Sequence, residues 1–334
     1  MSSTPPVPAD RTDERLVQGQ GVVGMLLAFG RRVRGGELGS LPVIVAGAAT
    51  GLAVGVFYAL LYTKVGVPSF VITLAGLLGF LGLQLLILGK NGTVNLPPDS
   101  GLIEFTRNDF VTGTASYVLV VLVALAYGGA LFWGARRRAA AGLSAPSWVA
   151  IAIRTVLLGV GLLYFTYYLN IDRGLGYLPL LFVALVVVMD LLLRKTKWGR
   201  HVFAVGGNEE AARRSGIHVN RIYLSVFTLT GLFAAVGGLL AAGQLTSVSQ
   251  ASGGTDTNLT AIAAAVIGGT SLFGGRGTAY AALLGIIVLQ SIQTGLNVVG
   301  VDSSVRYMVT GAVLLLAVSI DSVSRRARSS SGRG

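Results

Sequence analysis

In 334 residues the chain is 53% hydrophobic and only 12% charged, with a mean hydropathy of +0.72, and so few charges cannot coat a water-soluble globule of this size. Its net charge of +12 and pI near 10.4 do not mark a nucleic-acid binder, because the basic residues fall in short blocks beside apolar stretches, at 136–138, 194–200, 213–221 and 325–333. The absence of cysteine excludes disulfides, thiolate metal sites and thiol nucleophiles, and the two histidines, His201 and His218, share one basic loop without HExxH spacing.

Residues 1–20 are polar, and the apolar run 21–30 has about half the length of a span, so 1–40 reads as an N-terminal region, atypical or truncated. Nine apolar stretches follow, at 41–63, 69–89, 114–134, 147–169, 176–193, 222–243, 258–274, 278–299 and 305–320. A helix needs roughly 20 apolar residues to cross about 30 Å of hydrocarbon, so these predict an all-α, polytopic transmembrane protein with eight or nine spans. The short stretch 258–274 is rich in Ala and Gly, and either spans or forms a broken, re-entrant helix. A transmembrane domain over 41–324 and a basic cytoplasmic tail over 325–334 complete the division.

Placing the basic loops inside puts 194–221, Lys64, 136–138 and the tail in the cytoplasm, and the loops at 90–113, 170–175, 244–257 and 300–304 outside. Arg31, Arg32 and Arg34 then fall outside, against the rule. Arg154, Asp190 and Asp321 lie near the cytoplasmic face, where snorkelling is expected to keep them wet. No ionisable residue sits at mid-membrane, which argues against a proton-coupled carrier. Gly47, Gly51 and Gly55 put a flat face on the first span for close helix contact.

The loop 198–217 carries its own helix signals. Asn208 suits an N-cap, Glu209 and Glu210 the positive end of a helix, Arg213 and Arg214 its negative end, and Gly216 its stop. A short helix outside the membrane is expected, and on these residues alone it serves equally as an ordinary interfacial helix. Three segments then occur in order: Val67-Pro68-Ser69-Phe70-Val71-Ile72-Thr73-Leu74-Ala75-Gly76; the loop 199–217 with its core Ala204-Val205-Gly206-Gly207-Asn208; and the run 261–277, ending Gly268-Gly269-Thr270-Ser271-Leu272-Phe273-Gly274-Gly275-Arg276-Gly277. Together they resemble the membrane subunits of bacterial ATP-binding-cassette importers for monosaccharides, of the ribose and xylose type, over about 41–326.

That resemblance implies the importer permease architecture in the cytoplasmic membrane. It makes Gly206, Gly207, Asn208, Glu209, Glu210, Ala211, Ala212, Arg213, Arg214, Ser215 and Gly216 a coupling helix docking on a separate ATPase subunit. It also implies an extracytoplasmic sugar-binding protein and a second permease copy, with no cofactor. Relatives in the family carry further spans ahead of the one matching Leu41, with an Asp-Leu-Ser-Val-Gly motif; here Glu14-Arg15-Leu16-Val17-Gln18-Gly19-Gln20-Gly21 stands roughly in its place.

The glycines of 268–277 suggest a phosphate loop, but no strand precedes them and no Lys-Ser or Lys-Thr follows, so close packing of a helix end accounts for them better. The chain has no Walker A sequence, so ATP-driven transport would place the nucleotide on another polypeptide. For the path of a neutral sugar, Gln290, Gln293, Thr294 and Asn297 share one helix face, and the alternative is that they bond neighbouring helices. Ser69, Thr73 and Gln84 are weaker candidates of the same kind, while Tyr164, Tyr167 and Tyr168 suit an interfacial belt. A carrier or channel working without an ATPase is the alternative function. No Ser/His/Asp set or paired mid-membrane carboxylates support an enzyme.

Overall fold

Backbone N–H and C=O groups in hydrocarbon have no water to bond, and a helix satisfies them within one segment. The computed structural model shows this solution over the residues it describes, 41–89, 92–98, 100–142, 147–250, 252, 255–271 and 274–330; the expectations for 1–40 lie outside them. In chain order the main helices are α1 (Leu41–Leu60), α2 (Ser69–Leu88), α3 (Thr114–Ala140), α4 (Trp148–Asp172), α5 (Tyr177–Lys195), α6 (Lys197–Gly207), α7 (Glu209–Arg214), α8 (Val219–Leu245), α9 (Thr255–Ile267), α10 (Ala279–Val298) and α11 (Ser303–Ser330). Among the described residues six are long and apolar enough to cross a membrane: Pro42–Val65, Thr114–Ala140, Trp148–Ile171, Tyr177–Lys195, Val219–Leu245 and Ala279–Val298. Many of their large apolar side chains face outward, Leu122, Leu157 and Tyr164 among them, as lipid contact requires. The chain is a multi-pass membrane protein.

The structure adds to the sequence reading at four places. Of the two alternatives for 258–274, a span or a broken helix, it has the broken one: α9 has 13 residues, about 20 Å at 1.5 Å per residue, and gives way to glycines with positive φ. Residues 325–330 of the basic tail continue α11 as helix. Asp190 is not wet but buried, its charge compensated by Arg194 Nε at 2.9 Å one helical turn away. The basic loop contains a second helix, α6, whose N-cap is Thr196: its hydroxyl accepts from Gly199 N–H at 3.2 Å.

The described residues divide into two compact units, one within 41–102 and 183–330, the other within 103–182. In the first, α1 crosses α8 at the flat face formed by its glycines. A side chain on Gly55 would meet the Phe227 carbonyl at 2.5 Å, and one on Gly51 would strike Gly231 and Ala235. The last turn of α1 widens into a π-helix, Leu61–Val65, and Gly66 ends it at φ +78°. Gly285 of α10 lies on the Ala264 carbonyl of α9, and Gly268 on that of Ala281, so these backbones touch where no Cβ would fit. Ala263, Ala264 and Leu289 form the buried centre of that crossing, with Val313 of α11 against it. β1 (Thr93–Asn95) pairs antiparallel with β4 (Ser247–Ser249).

In the second unit α3 and α4 pack with Gly128 under Thr155. The start of α3 and the end of α4 are tied by Asn170, whose amide donates to Ser116 Oγ at 2.7 Å and whose Oδ1 accepts from Gly113 N–H at 3.1 Å. At the other end Phe132 meets Trp148 edge-on at 4.7 Å, and Arg136 and Arg137 lie over the Phe132 and Trp133 rings. Aromatic rings beside basic residues suit the membrane–water boundary. Strands β2 (Phe110–Val111) and β3 (Leu175–Gly176) pair antiparallel.

Candidate functional site

The helix α7 is six residues long, too short to persist on propensity alone, and it depends on its ends. Asn208 leaves the helical region at φ −158°, and its Oδ1 accepts from Ala211 N–H at 2.9 Å. At the other end Gly216, at φ +84°, donates its N–H to Arg213 C=O at 3.1 Å, and Ile217 N–H reaches Ala212 C=O at 3.1 Å. That pair of bonds is a Schellman closure, and it requires a left-handed residue at 216. Glu209 and Glu210 bond Arg213 and Arg214 at 2.6 and 2.5 Å, in the orientation that complements the helix dipole. These pairs are exposed and hold shape more than they add stability.

One residue anchors α7 from below. Ala212 is 3% exposed and packs with Val205 of α6 and Val219 and Ile222 of α8, with Trp198, Val202 and Ile217 around them. Trp198, Val202 and Val205 recur on one face of α6, and Trp198 Nε1 donates to Ser225 Oγ at 2.8 Å. The remaining positions from 206 to 216 are exposed apart from half-buried Glu209, so α7 presents a polar outer face on a small apolar foot.

Two connections run from the α6–α7 segment to other parts of its unit. Tyr223 of α8 donates its hydroxyl to Glu209 Oε2 at 3.1 Å, and its ring meets Tyr62 edge-on at 4.6 Å in the π-turn that ends α1. A recess of about 200 Å³ lies among Tyr62, Gly66, Glu209 and Tyr223. The second connection is made of glycine. The Gly206-Gly207 end of α6 rests on Gly274-Gly275: a side chain on Gly206 would lie 2.8 Å from Gly275 N, and one on Gly275, which has φ +71°, would lie 2.7 Å from Gly207 Cα. Two of the three sequence motifs therefore meet backbone to backbone, and the glycines of 268–277 are used for close approach.

The path candidates are not gathered in one place. Ser69 and Thr73 are exposed on the first turns of α2, where Thr73 Oγ1 donates to the Ser69 carbonyl at 3.1 Å. The Gln84 amide donates to the carbonyls of Ser249 and Ser252 at 2.8 and 3.1 Å, holding the β4 turn against α2. Gln293 and Asn297 line a cavity of about 470 Å³ with Thr257 and Thr260 of α9 and Arg306 and Thr310 of α11; Gln290 and Thr294 are exposed and do not line it. Inside the cavity Arg306 donates through Nη1 to Asn297 Oδ1 and through Nη2 to Ser303 Oγ, the latter at 2.6 Å. Arg306 and the three threonines escape a reading by helix face, because three different helices supply the lining. A cation on the side poor in basic residues was the available signal.

A short, twice-capped helix seated on α6 and α8, in a chain of apolar membrane-length helices with a polar cavity among α9, α10 and α11, suits a transport permease component. The chain belongs to the family described as branched-chain amino acid transport system, permease component, which matches residues 16–318. It is similar to the xylose transport system permease protein XylH of Escherichia coli K12, with 36% identity over 260 residues, 78% of this chain and 65% of that protein. The XylH protein of Haemophilus influenzae is 35% identical over 291 residues, 86% of this chain and 76% of its own. The ribose import permease protein RbsC of Bacillus subtilis is 38% identical over 195 residues, 54% of this chain and 60% of its own. The chain thus spans about two-thirds of the length of these curated relatives. No solved structure matches it.

Proposed function

We propose that the chain is the membrane-spanning subunit of an ATP-binding-cassette importer that carries a pentose, xylose or ribose, across the cytoplasmic membrane. The observation that carries this is α7. A helix of six residues fixed by an Asn cap, a Schellman glycine and a buried alanine is a rigid docking element outside the membrane. The bond of α7 to Tyr223 and the contact of the adjoining end of α6 with Gly274-Gly275 give a docked subunit two points of purchase on the rest of the chain. The names of the relatives favour a pentose over a branched-chain amino acid. So does the cavity, whose Thr, Gln and Asn groups both donate and accept, as hydroxyls require.

In this reading the segment 206–216 receives the ATPase subunit, which holds the nucleotide. A binding protein delivers the sugar from outside, and a second copy of the chain completes the passage. Ser69 and Thr73 of α2 at one end of the path, and Gln293 of α10 in the cavity, offer it neutral polar groups, while Asn297 lines the same cavity with its Oδ1 held by Arg306. Replacing 208–216 with a Gly-Ser linker in the assembled transporter tests the reading. ATP-driven pentose uptake is expected to disappear while the chain remains inserted in the membrane; uptake at the original rate contradicts it.

A further inference from the structure

The cavity between α9, α10 and α11 contains a charge that nothing so far has used. Arg306 forms no ion pair among the described residues. Two of its nitrogens are held by neutral acceptors, Asn297 Oδ1 and Ser303 Oγ, which fix the plane of the guanidinium, while its Nε is shielded and donates to no described group. An arginine pinned in this way is an oriented fork of donors with part of its capacity open. Around it stand Thr257, Thr260, Gln293 and Thr310, and Tyr307 adds a ring. The volume of about 470 Å³ is within the range of small-molecule sites, roughly 300–1,000 Å³. By the alternation of the basic loops it lies toward the outer face, next to the loop at 300–304.

We propose that this cavity is a sugar subsite in which Arg306 reads two neighbouring hydroxyls of the incoming pentose, a proposal that rests on the transport reading above. Vicinal hydroxyl oxygens present two acceptors on one edge, which the open side of a fixed guanidinium fits, and the surrounding amide and hydroxyl groups complete the bonds to the rest of the ring. A carboxylate ligand would also suit the fork, but an amino acid carries an ammonium as well, and no described residue of the lining offers it an anion. Asn297 and Ser303 are positioning residues: they hold the fork and leave the sugar to Arg306.

The test uses the complete transporter, with its ATPase and binding protein, in liposomes, with radiolabelled xylose and each of its monodeoxy analogues as probes. Arg306→Lys keeps the charge and removes the planar fork; Asn297→Asp keeps the size and captures the fork in an ion pair. At equal membrane content each variant is expected to raise the KM for xylose by about tenfold to hundredfold, the effect of losing a hydrogen bond to a charged donor. The native transporter is expected to discriminate against one adjacent pair of deoxy analogues more strongly than Arg306→Lys does; the same binding protein serves both, so the difference belongs to this chain. An unchanged KM in both variants, equal discrimination in native and variant proteins, or uptake of leucine in place of xylose would overturn the assignment. If the native assembly takes up no pentose at all, the transport reading itself falls, and this one with it.

Discussion

Gly275 shows how little room single residues leave in this protein. Its φ of +71° disfavours any side chain, and a Cβ there would press on the Gly207 backbone at 2.7 Å. The left-handed backbone alone costs an L-residue about 1–2 kcal/mol. Gly275→Ala is therefore expected to lower the thermal unfolding midpoint in detergent by several degrees and to separate α6 from the 274–275 loop. A cysteine pair placed beside the contact, compared for crosslinking with and without the substitution, reads that separation, and equal crosslinking contradicts it. This contact was invisible in the sequence. The glycines themselves were legible as packing residues rather than a phosphate loop, but nothing in 206–207 or 274–275 names the other, because contacts across 60 to 70 residues leave no period. Arg306 is a similar case: it reaches back round the 299–302 turn to Asn297, and a reading that stops at the end of one span does not pair them.

At the scale of elements, α7 was the most legible feature. Asn208, Glu209, Glu210, Arg213, Arg214 and Gly216 state its caps and charge order in residue types alone, and the structure forms the helix they describe. α6 was missed because its apolar face, Trp198, Val202 and Val205, spans only two turns and is interleaved with Lys197, Gly199, Arg200 and His201. The short strands β1 and β4 were missed for the same want of length. The link from α7 to the membrane depends on Tyr223. Tyr223→Phe removes the hydroxyl bond to Glu209 and keeps the ring on Tyr62; Glu209→Gln keeps the hydrogen bond and removes its charge. Each is expected to reduce the coupling of ATP hydrolysis to uptake several-fold. Both variants act on this bond, and Glu209→Gln also loses the ion pair with Arg213, so the combined loss in the double variant should be less than the product of the single losses. Multiplied losses in the double variant would show that the bond does not carry the coupling.

For the whole molecule, the membrane class follows from composition and the length of the apolar runs, and the crossings follow from where glycine falls. Gly51 and Gly55 meet Gly231 and the Phe227 carbonyl, and Gly268 and Gly285 meet Ala281 and Ala264. At 258–274, short and rich in Ala and Gly, the sequence left a span and a broken helix open; the helix breaks after α9, where Gly269, Gly274 and Gly275 take positive φ and the last two meet the end of α6. Irregular backbone of this kind is stable in a membrane protein where other segments cover it. Under the proposed transport reading the chain is one part of a machine, with a polar cavity among α9, α10 and α11, a short capped helix, and no Walker A sequence of its own. The most direct test is sugar accumulation in liposomes containing the purified chain with and without its ATPase, binding protein and ATP. Accumulation above the external concentration only when all three are present is the predicted result; equilibration of xylose by the chain alone would contradict it.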